Sequence, residues 1–131
     1  MDVLLDRQPF VETSAQLLDH VVRGTITGLI GATTVTTIFY LASREIGKKD
    51  AMRQIEKLMA LFEVAPVTRS VLEAALTSKS PDFEDAVLAE AAHQAGAQAI
   101  VTRNLKDFAH SPVRAYTPKQ WLAMATSPTR S

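Results

Sequence analysis

The sequence predicts an α/β fold, a three-layer α/β/α sandwich on a mostly parallel sheet. Short apolar runs rich in β-branched residues alternate with amphipathic stretches along the chain. Strands that alternate with helices are joined by crossovers, and crossovers place helices on both faces of a parallel sheet. The 131 residues match one ordinary domain, and neither an internal repeat nor a low-complexity linker divides them. At 47% hydrophobic residues, a chain of this length can bury a core without staples.

The elements follow in chain order. Residues 9–24 predict a helix: Pro9 suits its first turn, Leu17, Leu18, Val21 and Val22 form an apolar stripe, and Gly24 stops it. "TITGLIGA" (25–32) reads as a buried strand. Residues 33–47 have helical apolar spacing at Val35, Ile38, Phe39, Leu41 and Ala42, against the strand preference of their many threonines. Residues 49–62 predict an amphipathic helix with Met52, Ile55, Leu58, Met59 and Phe62 on one core-facing side. "EVAPV" (63–67) suits a short edge strand, because proline cannot donate to a ladder. Residues 70–78 and 82–95 predict two more helices, the second ended by Gly96. "AQAIVT" (97–102) reads as a buried strand and "VRAYT" (113–117) as an alternating one. Pro118 opens a terminal helix to residue 125, with Trp121 and Tyr116 packing it on the sheet. Residues 126–131 are expected to fray.

Composition excludes several classes of function. There is no cysteine, so disulfide and thiolate chemistry is absent, and a reducing cytoplasm is the expected compartment. No apolar run is long enough for a membrane span, and "MDVLLDRQPF" has no basic segment ahead of an apolar core, so no signal peptide is expected there. The glycines match neither a P-loop nor a dinucleotide fingerprint, which argues against a nucleotide cofactor. His20, His93 and His110 fall in no metal-ligand spacing. Formal net charge is zero, so a nucleic-acid role must rest on a local site rather than on a basic surface.

That local site is suggested by "DFEDAVLAEAAHQAGAQAIVTRNLKDF" (82–108). A helix leading into a parallel strand starts at the sheet edge where strands end, the edge at which open α/β sheets bind ligands. Asp82 and Asp85 lie three apart at such a helix start, and Asn104 and Asp107 leave the following strand at the same edge. Clustered carboxylates repel one another and are best tolerated around a shared hard cation such as Mg²⁺. A cation held there can polarise a phosphodiester and lower the pKa of water. The same residues also have a purely structural account. Ser80 can cap the helix, acids in a first turn are favoured by about 0.3–1 kcal/mol each, and Asp107 suits a turn. Arg103 and Lys106 flank the acids, and Arg7 lies in a loop near that edge; each can meet phosphate or simply be solvated.

The stretch 82–108 closely resembles the C-terminal half of PIN-domain proteins: acid-x-x-Asp-Ala at a helix start, a small-residue helix, then "IVTRNxxDF". Upstream, "GLIGATTVTTIFYLASREIG" is similar to the family's second strand and following helix, and "VLLDRQPFVETSAQLLD" to the segment just after its first strand. The resemblance covers nearly the whole chain. It implies a PIN-like parallel-sheet fold and a Mg²⁺- or Mn²⁺-dependent ribonuclease in which metal-activated water hydrolyses RNA, with the toxins of VapC-type toxin–antitoxin pairs among the relatives. By the same resemblance Asp85, Asp107 and Asp82 are the catalytic and metal-binding acids, and Asn104, Arg103 and Thr37 orient substrate or water. Implied partners are RNA, a small antitoxin and a second copy of the chain.

Two departures accompany the resemblance. Family members begin with a central strand ending in "DTN", and this sequence reads as starting just after it, so the first strand and its aspartate are expected to be missing. Thr37 stands where the family offers an acid. An absent central strand would leave its neighbours' backbone unpaired. It implies a start lying upstream, a strand supplied from elsewhere, or a degenerate non-catalytic interaction module. A receiver- or flavodoxin-like binding domain fits the architecture but not these residues.

Overall fold

The structure is a computed structural model, and it describes residues 2–6 and 12–125. Five short strands form its centre: β1 (Asp2–Leu5), β2 (Thr27–Gly31), β3 (Glu63–Ala65), β4 (Ala99–Val101) and β5 (Ala115–Tyr116). Their spatial order is β3-β2-β1-β4-β5, and all four pairings are parallel. Six helices surround them: α1 (Glu12–Arg23), α2 (Ala32–Ile46), α3 (Lys48–Leu61), α4 (Arg69–Leu76), α5 (Phe83–Gln94) and α6 (Pro118–Ala125). A turn of 3-10 helix, Leu105–Phe108, follows β4.

The period of two in each strand divides the core between the sheet's faces. Val3, Leu5, Ile30, Ala99 and Val101 face Leu17 of α1, Phe62, and Trp121 and Leu122 of α6. Leu4, Leu29 and Ile100 face Val71 and Ala75 of α4 and the small residues of α5. Ala86, Val87, Leu88, Ala89, Ala91 and Ala92 are all buried, so α5 is apolar nearly all round and lies tight between the sheet and α4. Gly28 serves a similar close approach, because a Cβ there would sit 2.6 Å from the Phe62 ring. Tyr116 and Trp121 stack at 5.8 Å between ring centroids, which docks α6 as the sequence suggests.

The threonine-rich stretch is helical. Thr36 and Thr37 return their hydroxyls to the Thr33 carbonyl at 2.9 and 3.1 Å, so both are satisfied inside α2. His20 is structural, its Nδ1 lying 2.9 Å from the Thr25 hydroxyl.

The largest correction concerns the expected missing strand. Asp2–Leu5 forms β1 in the middle of the sheet, paired with β2 on one side and β4 on the other. Val3, Leu4 and Leu5 are buried on both faces, as a central parallel strand requires. The sheet therefore has no gap, and neither a borrowed strand nor closure of the neighbours is needed to explain it.

A second correction concerns α3. Met52 and Met59 are not core residues: they are 57% and 52% exposed. The helix packs on α2, Leu58 and Phe62 near its end reach the sheet side, and Met52 and Met59 of its apolar stripe face outward. Leu41 of α2 and Val22 of α1 are exposed as well. The helix start expected at Pro9, the loop cation Arg7 and the expected fraying of 126–131 lie outside the described residues.

Candidate functional site

Because every strand runs the same way, the segments leaving β1, β2 and β4 emerge at one edge. They meet the start of α5 there and enclose a cavity of about 190 Å³. Asp6 enters from the end of β1, and Thr33, Thr34 and Thr37 from the first turns of α2. Asp82, Glu84, Asp85 and Leu88 come from the start of α5, and Asn104 and Asp107 from the segment after β4. Five carboxylates thus share the cavity, and among the described residues no lysine, arginine or histidine lines it.

Asp82 is the N-cap of α5: its Oδ1 accepts from the Asp85 N–H at 2.9 Å. The sequence assigned that role to Ser80, whose hydroxyl instead donates to the Asp82 carbonyl at 3.2 Å and shapes the preceding turn. One oxygen of Asp82 is therefore committed to the helix. Asp85, one turn in, has its carboxyl pushed up to about 6. Burial is the largest cause, followed by the negative charges of Asp82, Asp107, Asp6 and Glu84.

Asp6 is the residue that sequence reasoning missed. Its Oδ2 accepts from the hydroxyl of the fully buried Thr102 at 2.9 Å, and the same hydroxyl accepts from the Asn104 N–H at 3.0 Å. Thr102 therefore does more than end a strand, since it couples Asp6 to the segment carrying Asn104 and Asp107. The signal lay in "DVLLD", a short apolar run closed by an acid, which is what a buried strand delivering a carboxylate looks like. Glu84, Thr33 and Thr34 were also not anticipated as cavity residues.

Of the anticipated residues, Asp82, Asp85, Asp107, Asn104 and Thr37 share the cavity. Arg103 is exposed and is not among the lining residues. Thr37 is half-buried, with its hydroxyl proton engaged by Thr33. Among the described residues, no three or more His, Asp or Glu side chains are grouped so as to hold a metal ion. The donor set is nevertheless all oxygen and strongly negative, which suits a hard cation. Its spacing suits a cation gripped by one or two carboxylates and otherwise by water, the usual habit of Mg²⁺.

An all-parallel α/β sandwich with an acidic cleft at the carboxyl edge of its sheet defines the structural class. Within it the chain belongs to the PIN-domain family, whose sequence pattern matches residues 1–106. Solved structures agree on the fold. VapBC2 from Rickettsia felis, bound to a DNA fragment from its promoter, is 14% identical with a TM-score of 0.70, over 89% of this chain and 98% of that one. VapBC-1 from nontypeable Haemophilus influenzae is 13% identical with a TM-score of 0.69, over 91% and 99%. VapC20 from Mycobacterium tuberculosis, a Sarcin-Ricin loop cleaving toxin, is 13% identical with a TM-score of 0.54, over 75% and 86%. No curated protein matches the chain by sequence. Among the described residues no helix is long and apolar enough to cross a membrane.

Proposed function

We propose that this chain is a divalent-cation-dependent ribonuclease and the toxin of a toxin–antitoxin pair. The observation that carries the reading is the concentration of carboxylates in the cavity. Burial and four neighbouring carboxylates push Asp85 up to about 6, and among the described residues no basic side chain lines the cavity. Such an arrangement is unfavourable for the empty protein and becomes favourable around a cation.

Asp85 and Asp6 would hold Mg²⁺ or Mn²⁺ directly, with Asp107 and the Asp82 oxygen that is not spent on capping contributing through bound water. When bound, the cation supplies charge for a phosphodiester oxygen and lowers the pKa of water. The chain's own residues do the rest. Thr102 fixes the Asp6 carboxylate, Asn104 orients water or Asp107, and Thr37 offers its hydroxyl oxygen to the cavity. Arg103 stands at the surface, where a second RNA phosphate can reach it. RNA as substrate is supported by the fold likeness to a Sarcin-Ricin loop cleaving toxin. A small antitoxin partner is supported by the likeness to VapBC assemblies, and a homodimer and a cytoplasmic location complete the reading.

One observation favours a second reading, a PIN-like interaction module without catalysis: no three described acids converge on one point. Calorimetry with Mn²⁺, paired with an RNA cleavage assay, separates the two. Binding that is lost in Asp85→Asn, together with cleavage that is lost in the same variant, supports the nuclease. A wild-type chain that binds no Mn²⁺ overturns it.

A further inference from the structure

The acidic cavity has one wall of opposite character, the N-terminus of α2. The first N–H groups of any helix lack an acceptor within it. Thr68 and Asp82 cap α4 and α5, but the N-cap of α2 is Gly31, which has no side chain to offer, and no acid sits in the first turn. Among the described residues nothing outside the helix accepts from the N–H groups of Ala32, Thr33 or Thr34. A Cβ at Gly31 would lie 2.5 Å from Leu88 Cδ1, so close packing against α5 keeps this position small and the helix end open.

Thr34 gives an independent second observation. It lines the cavity and is only 7% exposed. Unlike Thr36 and Thr37, its hydroxyl has no hydrogen-bond partner among the described residues. Its Oγ1 lies 3.5 Å from where a Gly31 Cβ would stand, which is beside the open helix end. Among the described residues the Trp121 indole N–H is the buried side-chain polar atom without a partner, so the Thr34 hydroxyl is open to the cavity that it lines, where a ligand oxygen can accept from it.

We propose that the N-terminus of α2 and the Thr34 hydroxyl form an oxyanion subsite for a non-bridging oxygen of a nucleic-acid phosphodiester. The identification of that phosphodiester as RNA rests on the nuclease reading above. A helix N-terminus carries about half a positive charge and presents N–H donors, so it receives phosphate oxygens readily. The carboxylates that share the cavity repel an anion and attract a cation. The two walls together match the two halves of a cation–phosphodiester pair, and Thr34 selects the half that α2 takes.

The test is an amide-resolved NMR titration of the full chain with a dinucleoside monophosphate, with and without Mg²⁺. Mg²⁺ affinity is measured separately by calorimetry. The expected result is that the amides of Ala32, Thr33 and Thr34 shift on binding. Thr34→Val should weaken the probe about tenfold, as loss of one hydrogen bond to a charged group implies, while Mg²⁺ affinity holds. Thr34→Ser should restore binding, which separates the hydroxyl from any packing effect of valine. Unchanged probe affinity in Thr34→Val overturns the proposal, as do shifts that avoid α2 or a wild-type chain that binds no probe. If the wild type binds the probe at α2 but no Mg²⁺, the nuclease reading fails and the subsite stands.

Discussion

Replacing Asp85 by asparagine should make the protein more stable when no divalent cation is present. In the folded state the Asp85 carboxyl is pushed from 3.8 to about 6, by burial first and by Asp82, Asp107, Asp6 and Glu84 after it. The folded state therefore holds a proton more tightly than the unfolded chain. Where the folded state binds more protons, stability falls as pH rises. The loss begins near pH 4, proceeds through about pH 6, and is complete above it. At about 1.4 kcal/mol per pH unit, the gap between 3.8 and about 6 corresponds to about 3 kcal/mol. Asp85 is partly exposed, so water screens much of the repulsion, and about 1–2 kcal/mol is the expected remainder.

Asparagine removes the charge at nearly constant shape. In EDTA at pH 7.5, Asp85→Asn should melt about 4–8 °C above wild type for a domain of this size. The two curves should converge near pH 4, where the wild-type carboxyl is neutral as well. Adding Mg²⁺ should reverse the order, because a cation that binds only the folded wild type stabilises it by mass action. The assay is thermal denaturation followed by circular dichroism across pH 4–8. A variant that is no more stable than wild type at pH 7.5 in EDTA refutes the charge-repulsion argument. A stability difference that is the same at pH 4 and pH 7.5 also refutes it, because it would come from packing.

Four further substitutions test how the site and the core beside it are built. Asp82→Ala should lower stability by about 1 kcal/mol through loss of the cap on the Asp85 N–H, whereas Asp82→Asn should keep the cap and lose only charge; urea denaturation of both variants checks this. Thr102→Val should cost about 1–3 kcal/mol, because it leaves the Asn104 N–H and an Asp6 oxygen without their shared hydroxyl. Under the proposed function it should also weaken Mn²⁺ about 10–100-fold by calorimetry, the usual effect of removing a group that orients a ligand. Ala92→Leu should cost about 1–3 kcal/mol in denaturant titrations, since Ala92 is fully buried where α5 lies tight in the core.

The sequence made the crossover pattern legible because each buried strand and its covering helix announce themselves locally. "TGLIG" and "AIV" are apolar on both faces, and the helices between them carry stripes, caps and glycine stops. The burial of α3 was not legible. An apolar stripe shows which side of a helix avoids water but not which neighbour covers it, and here α2 and the sheet cover only part.

The same distinction explains the site. Asp82, Asp85, Asn104 and Asp107 belong to one helix–strand unit, so spacing along the chain already places them on one edge. Asp6 lies outside that unit. Its hydrogen bond to Thr102 spans 96 positions and exists only because β1 lies beside β4 in the sheet. A resemblance that placed "VLLD" after the first strand hid that adjacency, although three buried apolar residues followed by an acid are sufficient for a central strand and its carboxylate. Convergence within one local unit can be read from sequence. Convergence across the sheet depends on strand order, which no spacing records. The acidic wall of the cavity was therefore readable in three of its five acids, while its β1 contribution and the open end of α2 opposite it became visible only once the strands were in place.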